Sequence, residues 1–376
     1  MKLDPVKLSC NLQGKVEIKS KKKVNKNNLA ALYTPGVASV CKKIIEDKKF
    51  LSCTIKNNTI AIVSDGSAVL GLGNIGPEAA LPVMEGKSLL FKELGGINAF
   101  PIVLGTQDEE EIIKIIKAIA PTFGGINLED IAAPKCFEIE ERLKKELDIP
   151  VMHDDQHATA IVMLAGLINA LKVVKKDASK IKLTISGSGA AGTAIIKLLR
   201  LYGVKNILAC DSKGIISRNR KDLNSSKKEI AKITNFENID GSVKDAISGA
   251  DVFVGVSAGG ILTADDISRM AKDAIVFAMA NPIPEIYPDE AKKGGAKVIA
   301  TGSSDFPNQL NNILAFPGVF KGLLENGVKK VTDDHKLKAA KALAGLVKNP
   351  AANRIVVNAL DKKAVKAVSN VFKNRP

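Results

Sequence analysis

The stretch "KIKLTISGSGAAGTAIIKLLRLYG", Lys180 to Gly203, constrains the fold of this chain more than any other. A run rich in β-branched residues leads into three glycines spaced G-x-G-x-x-G (Gly187, Gly189, Gly192), and apolar residues at helical spacing follow at once. Strand, tight glycine turn and helix in that order begin a βαβ unit, which requires a parallel sheet. About 20 residues beyond the glycines the run "NILAC" ends in Asp211, where a carboxylate can accept hydrogen bonds from an adenosine ribose. The glycines let backbone N–H groups and a helix N-terminus approach a pyrophosphate. Gly187, Ser188, Gly189, Ala190, Ala191 and Gly192, with Asp211, therefore read as a dinucleotide site.

Further strand-like runs, "ADVFVGVS", "AIVFAMANP" and "AKVIATGS", alternate with helical or loop stretches after this unit. The fold class expected is α/β: a Rossmann-type NAD(P)-binding domain with a second, smaller α/β N-terminal domain. The smaller unit is read from "TIAIVSDGSAVLGLG", "NAFPIVLG" and the amphipathic "EEEIIKIIKAIA". A helix over Ala158–Lys176, apolar at helical spacing with lysines in its last turn, joins the two. The boundaries expected are 1–153, 154–335, and 336–376 as C-terminal helices packed on the second domain; 376 residues suffice for two cores.

A second glycine run, "AVLGLGNIG", repeats the spacing at Gly71, Gly73 and Gly76 without the context. Pro77 follows at once and the next strand ends in no carboxylate. A flexible turn and a close backbone approach to some other ligand both fit these residues. Two acidic clusters sit in apolar surroundings, "INLED" (Glu129, Asp130) and "HDDQHATA" (Asp154, Asp155). Helix capping accounts for some of them; together, without cysteine, they also form a hard oxygen site suited to Mg²⁺ or Mn²⁺. His153 and His157 are four apart, but the sequence lacks the glutamate of H-E-x-x-H and a zinc site is not expected.

The net charge of +15 attracts anions of any kind. The lysines are spread along the chain and aromatics make up only 4%, which argues against nucleic acid as a partner. Five scattered cysteines suggest neither a disulfide framework nor a zinc knuckle. With no apolar leader and no tract of about 18 or more apolar residues, a soluble, unprocessed, cytoplasmic protein without membrane contact is expected.

Ordered along the chain, "GKVEIKSK", "YTPGVA", "AVLGLGNIG", "MEGKSLLFK", "INLEDI", "HDDQHATA", "SGSGAAG", "ANPIPEI" and "SDFPNQLNNILAFPG" resemble the malic enzymes of the short prokaryotic type. The resemblance implies oxidation of L-malate by NAD⁺ or NADP⁺ and decarboxylation to pyruvate and CO₂ with Mg²⁺ or Mn²⁺, and extends to decarboxylation of oxaloacetate. Carried over by position, Tyr33 is the general acid, Lys87 the general base, and Glu129, Asp130 and Asp155 the metal ligands. Asn281 and Asn312 contact the substrate, Asn281 also borders the cofactor, and the first glycine run lines the substrate side of the cleft. A homodimer is implied, with Tyr33 or Lys87 completing the neighbour's site. The module that some prokaryotic relatives append has no counterpart in these 376 residues.

Three positions depart from the family pattern. Ala158 replaces a glycine after "HDDQH"; Ala68 stands where larger relatives carry an arginine for the malate carboxylate, leaving the asparagines and loop N–H groups for that task. Asp211 favours an unphosphorylated ribose, NAD⁺ over NADP⁺, while Lys213 and Arg218 behind it are placed to pair with a 2′-phosphate. For Lys87 to act as a base its pKa must fall from about 10.4. The competing readings are a metal-free dehydrogenase of another hydroxy or amino acid and a basic nucleic-acid binder.

Overall fold

A computed structural model describes residues 4–69 and 71–373. Leu70 of the first glycine run and the outermost residues of both terminal segments lie outside these. Two sheets organise the chain. The first runs β2-β1-β3-β4, all parallel, from β1 (Thr59–Ser64), β2 (Asn98–Val103), β3 (Gly125–Leu128) and β4 (Val151–His153). The second comprises β5 (Lys182–Ser186), β6 (Asn206–Asp211), β7 (Gly214–Ile215), β8 (Val252–Gly255), β9 (Ile275–Ala278) and β10 (Val298–Thr301). Its order is β10-β9-β8-β5-β6-β7, parallel except for the last pair.

In each sheet the chain reverses its direction of winding at the first strand: β1 lies between β2 and β3, β5 between β6 and β8. Ligands of open α/β sheets bind at such switch points, beyond the carboxyl ends of the strands. Both glycine runs follow these two strands. Continuous apolar runs such as "TIAIVS", buried at every residue, suit strands covered on both faces.

A helix does follow the first glycine run, over Gly76–Leu90. Pro77 sits in its first turn, where its missing N–H removes no hydrogen bond, so the proline opens this helix rather than precluding it. The joining helix spans Asp154–Val174, one turn earlier than the apolar spacing suggested, and it corrects the expectation that the chain holds no apolar tract of about 18 residues. It carries an 18-residue window apolar and long enough to cross a membrane, of which 78% is buried inside the fold. A helix apolar on all sides belongs in a protein core. Here it contacts the helices Ala190–Tyr202 and Asp333–Ala344, and its residues join one core with β1, β5 and the helix Phe316–Glu325.

Candidate active site

The two loops carrying acidic residues start from the carboxyl ends of β3 and β4. Glu129 and Asp130 follow β3 directly, and Asp130 adopts a left-handed conformation (φ 52°), which Asp tolerates better than most residues. Its backbone N–H donates to Asp155 Oδ2 at 2.9 Å, and its carbonyl accepts from Ala68 N at 2.9 Å. The loop is thereby tied both to the start of the long helix and to the first glycine run. Asp65 supports the same junction: its buried carboxylate pairs with Lys135 and accepts from the Ser67 hydroxyl at 2.6 Å. Ser67 Oγ in turn accepts from Ala132 N at 2.9 Å.

Asp154 and Asp155 open the helix Asp154–Val174 with His153 at the cap position, and no side chain caps this helix. Carboxylates in a first turn are favoured by the helix dipole. Successive helical residues point about 100° apart, so the two do different things. Asp155 turns to Glu129 and Asp130, and ligand oxygens of these three lie within 4.8 Å of one another. Asp154 turns to Lys87, which rises from the helix Gly76–Leu90.

Lys87 is buried, ion-paired with both Glu129 and Asp154 and stacked on the Phe316 ring at 4.6 Å. Asn312 donates to the same Asp154 oxygen at 2.6 Å, and Asn127 donates to Glu129 Oε2 at 2.9 Å. Lysine from one glycine-loop helix, acids from two strand ends and an asparagine from a distant loop thus meet at one point.

Charge does not balance there. Four carboxylates face one ammonium, and burial penalises every unpaired charge. Burial, then the neighbouring Asp155, pushes the Asp130 carboxyl up to about 8; burial likewise holds Glu129 well above the carboxylate range. Asp130 Oδ2 has no hydrogen-bond partner. An excess of carboxylate oxygens, with Asp130 Oδ2 and Asp154 Oδ1 both unpartnered, is the donor set of a hard divalent cation, and Glu129, Asp130 and Asp155 fit one. Among the described residues no other group of three or more acid, imidazole or thiolate side chains comes close enough to hold an ion.

Lys87 differs from the expectation stated above. Burial works against its ammonium, but Asp154, Glu129 and Asp155 outweigh burial and hold its pKa above the ordinary lysine range. Without a cation on the acids, Lys87 is charged.

The second glycine run opens the helix Ala190–Tyr202, and Gly187 N donates to Cys210 O at 2.9 Å. A Cβ at Gly192 would collide with the Gly187 carbonyl, whereas one at Gly189 would meet nothing within 4 Å. The loop is therefore closed toward the protein and open toward the cleft, which fits a pyrophosphate lying on it. Gly71 of the first run abuts the other domain: a Cβ there would lie 2.6 Å from both Asn281 O and Pro282 Cδ.

Sequence profiles decide what these features belong to. A malic enzyme N-terminal domain profile matches residues 13–144, and a malic enzyme NAD-binding domain profile matches residues 157–372. The chain belongs to the malic enzyme family. It is 55% identical over 362 residues to a bifunctional malic/malolactic enzyme of Bacillus subtilis, covering 95% of this chain and 88% of that one. It is 56% identical to an NAD-dependent malic enzyme of Geobacillus stearothermophilus, covering 95% and 76%. The crystal structure of an NAD-dependent malic enzyme from Thermotoga maritima superposes with a TM-score of 0.95 at 48% identity, covering 99% of each chain.

Of the malic enzyme residues named from sequence, the structure gathers Lys87, Glu129, Asp130, Asp155 and Asn312 into one contact network. Asn281 reaches the first glycine run through its backbone. Tyr33 stands apart: it is 69% exposed, on a segment (4–58) with no buried residue, and its hydroxyl makes no hydrogen bond among the described residues. Arg218 and Lys213 also differ from expectation. The Arg218 guanidinium donates to the carbonyls of Phe236 (3.0 Å) and Ala231 (3.5 Å), and Lys213 Nζ pairs with Asp222. It is Arg220 and Lys227 that reach Asp211. His157 serves structure, 2.9 Å from the buried Glu140 carboxylate.

Sequence reading assigned no role of its own to Asp154, the hinge of the Lys87 contacts. The signal was present in the doubled acid of "HDDQ" at a helix start, where two adjacent carboxylates cannot face the same way.

Proposed function

We propose that this chain oxidises L-malate at C2, with NAD(P)⁺ accepting the hydride, and decarboxylates the product to pyruvate and CO₂ in the cleft between its two glycine runs. The observation that carries this reading is Lys87, buried between Glu129 and Asp154 at the edge of a three-carboxylate cluster. Turnover of a 2-hydroxy acid needs a base for the hydroxyl proton, compensation for charge gathering on oxygen, and an acceptor for hydride.

Lys87 Nζ is the base, taking the C2 hydroxyl proton as hydride leaves C2. It can do so only when the acids around it are compensated, because they otherwise hold its proton in place. Glu129, Asp130 and Asp155 would hold a divalent cation, which would supply that compensation and Lewis acidity toward the substrate. Gly187–Gly192 would hold NAD(P)⁺ near the end of β6 that carries Asp211, and the dinucleotide would supply the hydride acceptor. Asp154 and Asn312 fix the direction of the lysine. Breaking the C3–C4 bond releases CO₂ and leaves an enolate, which Tyr33 protonates at C3.

Tyr33 reaches that carbon from a second copy of the chain. The segment 4–58 exposes large apolar side chains, among them Ile18 (83%), Ile45 (84%) and Val24 as well as Tyr33, and none of its residues is buried among the described residues. We infer a homodimer in which this segment lies on the partner. Five free cysteines, three of them exposed, support a reducing, cytoplasmic setting.

Metal dependence tests the reading. Malate-driven reduction of the dinucleotide, followed at 340 nm, is expected to vanish in protein stripped with EDTA and to return on titration with Mn²⁺. Full activity in EDTA would overturn it.

A further inference from the structure

Asp211, at the carboxyl end of β6, does not present a free carboxylate to a ribose. Its Oδ1 accepts from Lys213 N (2.9 Å) and Arg220 Nη1 (2.8 Å), and its Oδ2 from Arg220 Nη2 (3.0 Å) and Lys227 Nζ (2.6 Å). Two carboxylate oxygens offer about four acceptor sites, and all are taken. A ribose hydroxyl can donate to Asp211 only after one of these donors leaves.

The donors are not equally held. Lys213 gives its backbone N–H. Arg220 is clamped from its other side by Asp222 (3.0 and 2.8 Å) and leans on the carbonyls of Gly214 and Ile215. Lys227 has Asp211 as its one side-chain partner among the described residues, and its side chain is the most exposed of the pair that reaches Asp211. Lys227 is therefore the exchangeable donor. The group as a whole carries three cations (Lys213, Arg220, Lys227) against two carboxylates (Asp211, Asp222), a surplus of one positive charge. The repulsion that an acid at this place exerts on a phosphate is already cancelled by its partners.

We propose that Lys227 determines the choice between the two dinucleotides. It closes Asp211 against the hydroxyls of an unphosphorylated ribose and swings to a 2′-phosphate when one is present, so that the site takes the phosphorylated ribose at least as well as the plain one. This rests on the dinucleotide site proposed above, and its test does not require turnover.

Calorimetric titration of the whole chain with adenosine 2′,5′-bisphosphate and with 5′-AMP gives a ratio of affinities. Wild type is expected to bind the bisphosphate no more weakly than the monophosphate. In Lys227→Ala the ratio is expected to fall roughly tenfold, as one charge-assisted hydrogen bond to phosphate is lost and one Asp211 acceptor is freed. In Asp211→Asn, with the competing carboxylate gone, it is expected to rise. A ratio unmoved in both variants, or a wild-type preference for 5′-AMP, would overturn the proposal. Failure of the wild type to bind either probe would overturn it together with the dinucleotide site. Binding with the expected ratios but no malate turnover would support it and overturn only the assigned reaction.

Discussion

At the residue scale the site turns on a direction of pointing. Glu129, Asp130, Asp154 and Asp155 are alike in chemistry, yet Asp155 faces its fellow acids while Asp154 faces Lys87 and Asn312. The sequence made the acids conspicuous through their apolar flanks, but their division of labour follows from a helix that starts at Asp154 rather than Ala158. The Lys87 environment was illegible for a related reason: its two carboxylate partners lie 42 and 67 positions away in the chain, brought in by the ends of β3 and β4. If Lys87 is the base, Lys87→Ala is expected to cost about 10²–10⁴ in kcat while the 2′,5′-bisphosphate still binds. Asp154→Asn keeps the hydrogen bond to Lys87 possible but removes a charge that orients it, and about a tenfold loss in kcat with a smaller change in KM is expected. Steady-state kinetics of the two variants side by side check this; equal losses in both would contradict the separate role of Asp154.

At the element scale, strands deliver loops and loops deliver acids. Both glycine runs sit at switch points, and that much was legible for the second, whose strand, helix and Asp211 follow one another in sequence. For the first it was not, because its neighbours, Asp130 and Asn281, come from other loops and from the other domain. The loop after β3 has a consequence for pH. Asp130, with its pKa raised to about 8 in the fold against 3.8 ordinarily, holds a proton below pH 8 in metal-free protein. A group raised in this way weakens the metal-free fold as pH climbs from about 4 to 8, and a cation must displace its proton to bind. The rise in Tm on adding Mg²⁺ is therefore expected to be largest above about pH 8 and to shrink toward pH 6, with apparent affinity falling by up to about tenfold per unit. Thermal scans with and without Mg²⁺ across that range check it, and a gain independent of pH would contradict it.

At the scale of the whole molecule, the two sheets and the buried helix between them follow from patterning that the chain displays openly: continuous apolar strands, a helix apolar on all sides, and crossovers in between. The first 58 residues are different. Among the described residues none from 4 to 58 is buried and many of their large apolar side chains are exposed, so intrachain patterning could not say where they go. If Tyr33 serves the neighbour's cleft, mixing a Tyr33→Phe chain with a Lys87→Ala chain should build one complete site in each mixed dimer, restoring up to about a quarter of all sites. No recovery in dimers shown to be mixed would place both residues in one chain.

Oxidation and decarboxylation are proposed to occur together in one cleft. This is tested most directly by incubating ¹³C-labelled L-malate with the protein, Mn²⁺ and NAD⁺ or NADP⁺, and counting products by NMR alongside absorbance at 340 nm. One pyruvate and one reduced dinucleotide for each malate consumed is the predicted result. Lactate without net reduction of the dinucleotide, or reduced dinucleotide without loss of CO₂, would contradict it.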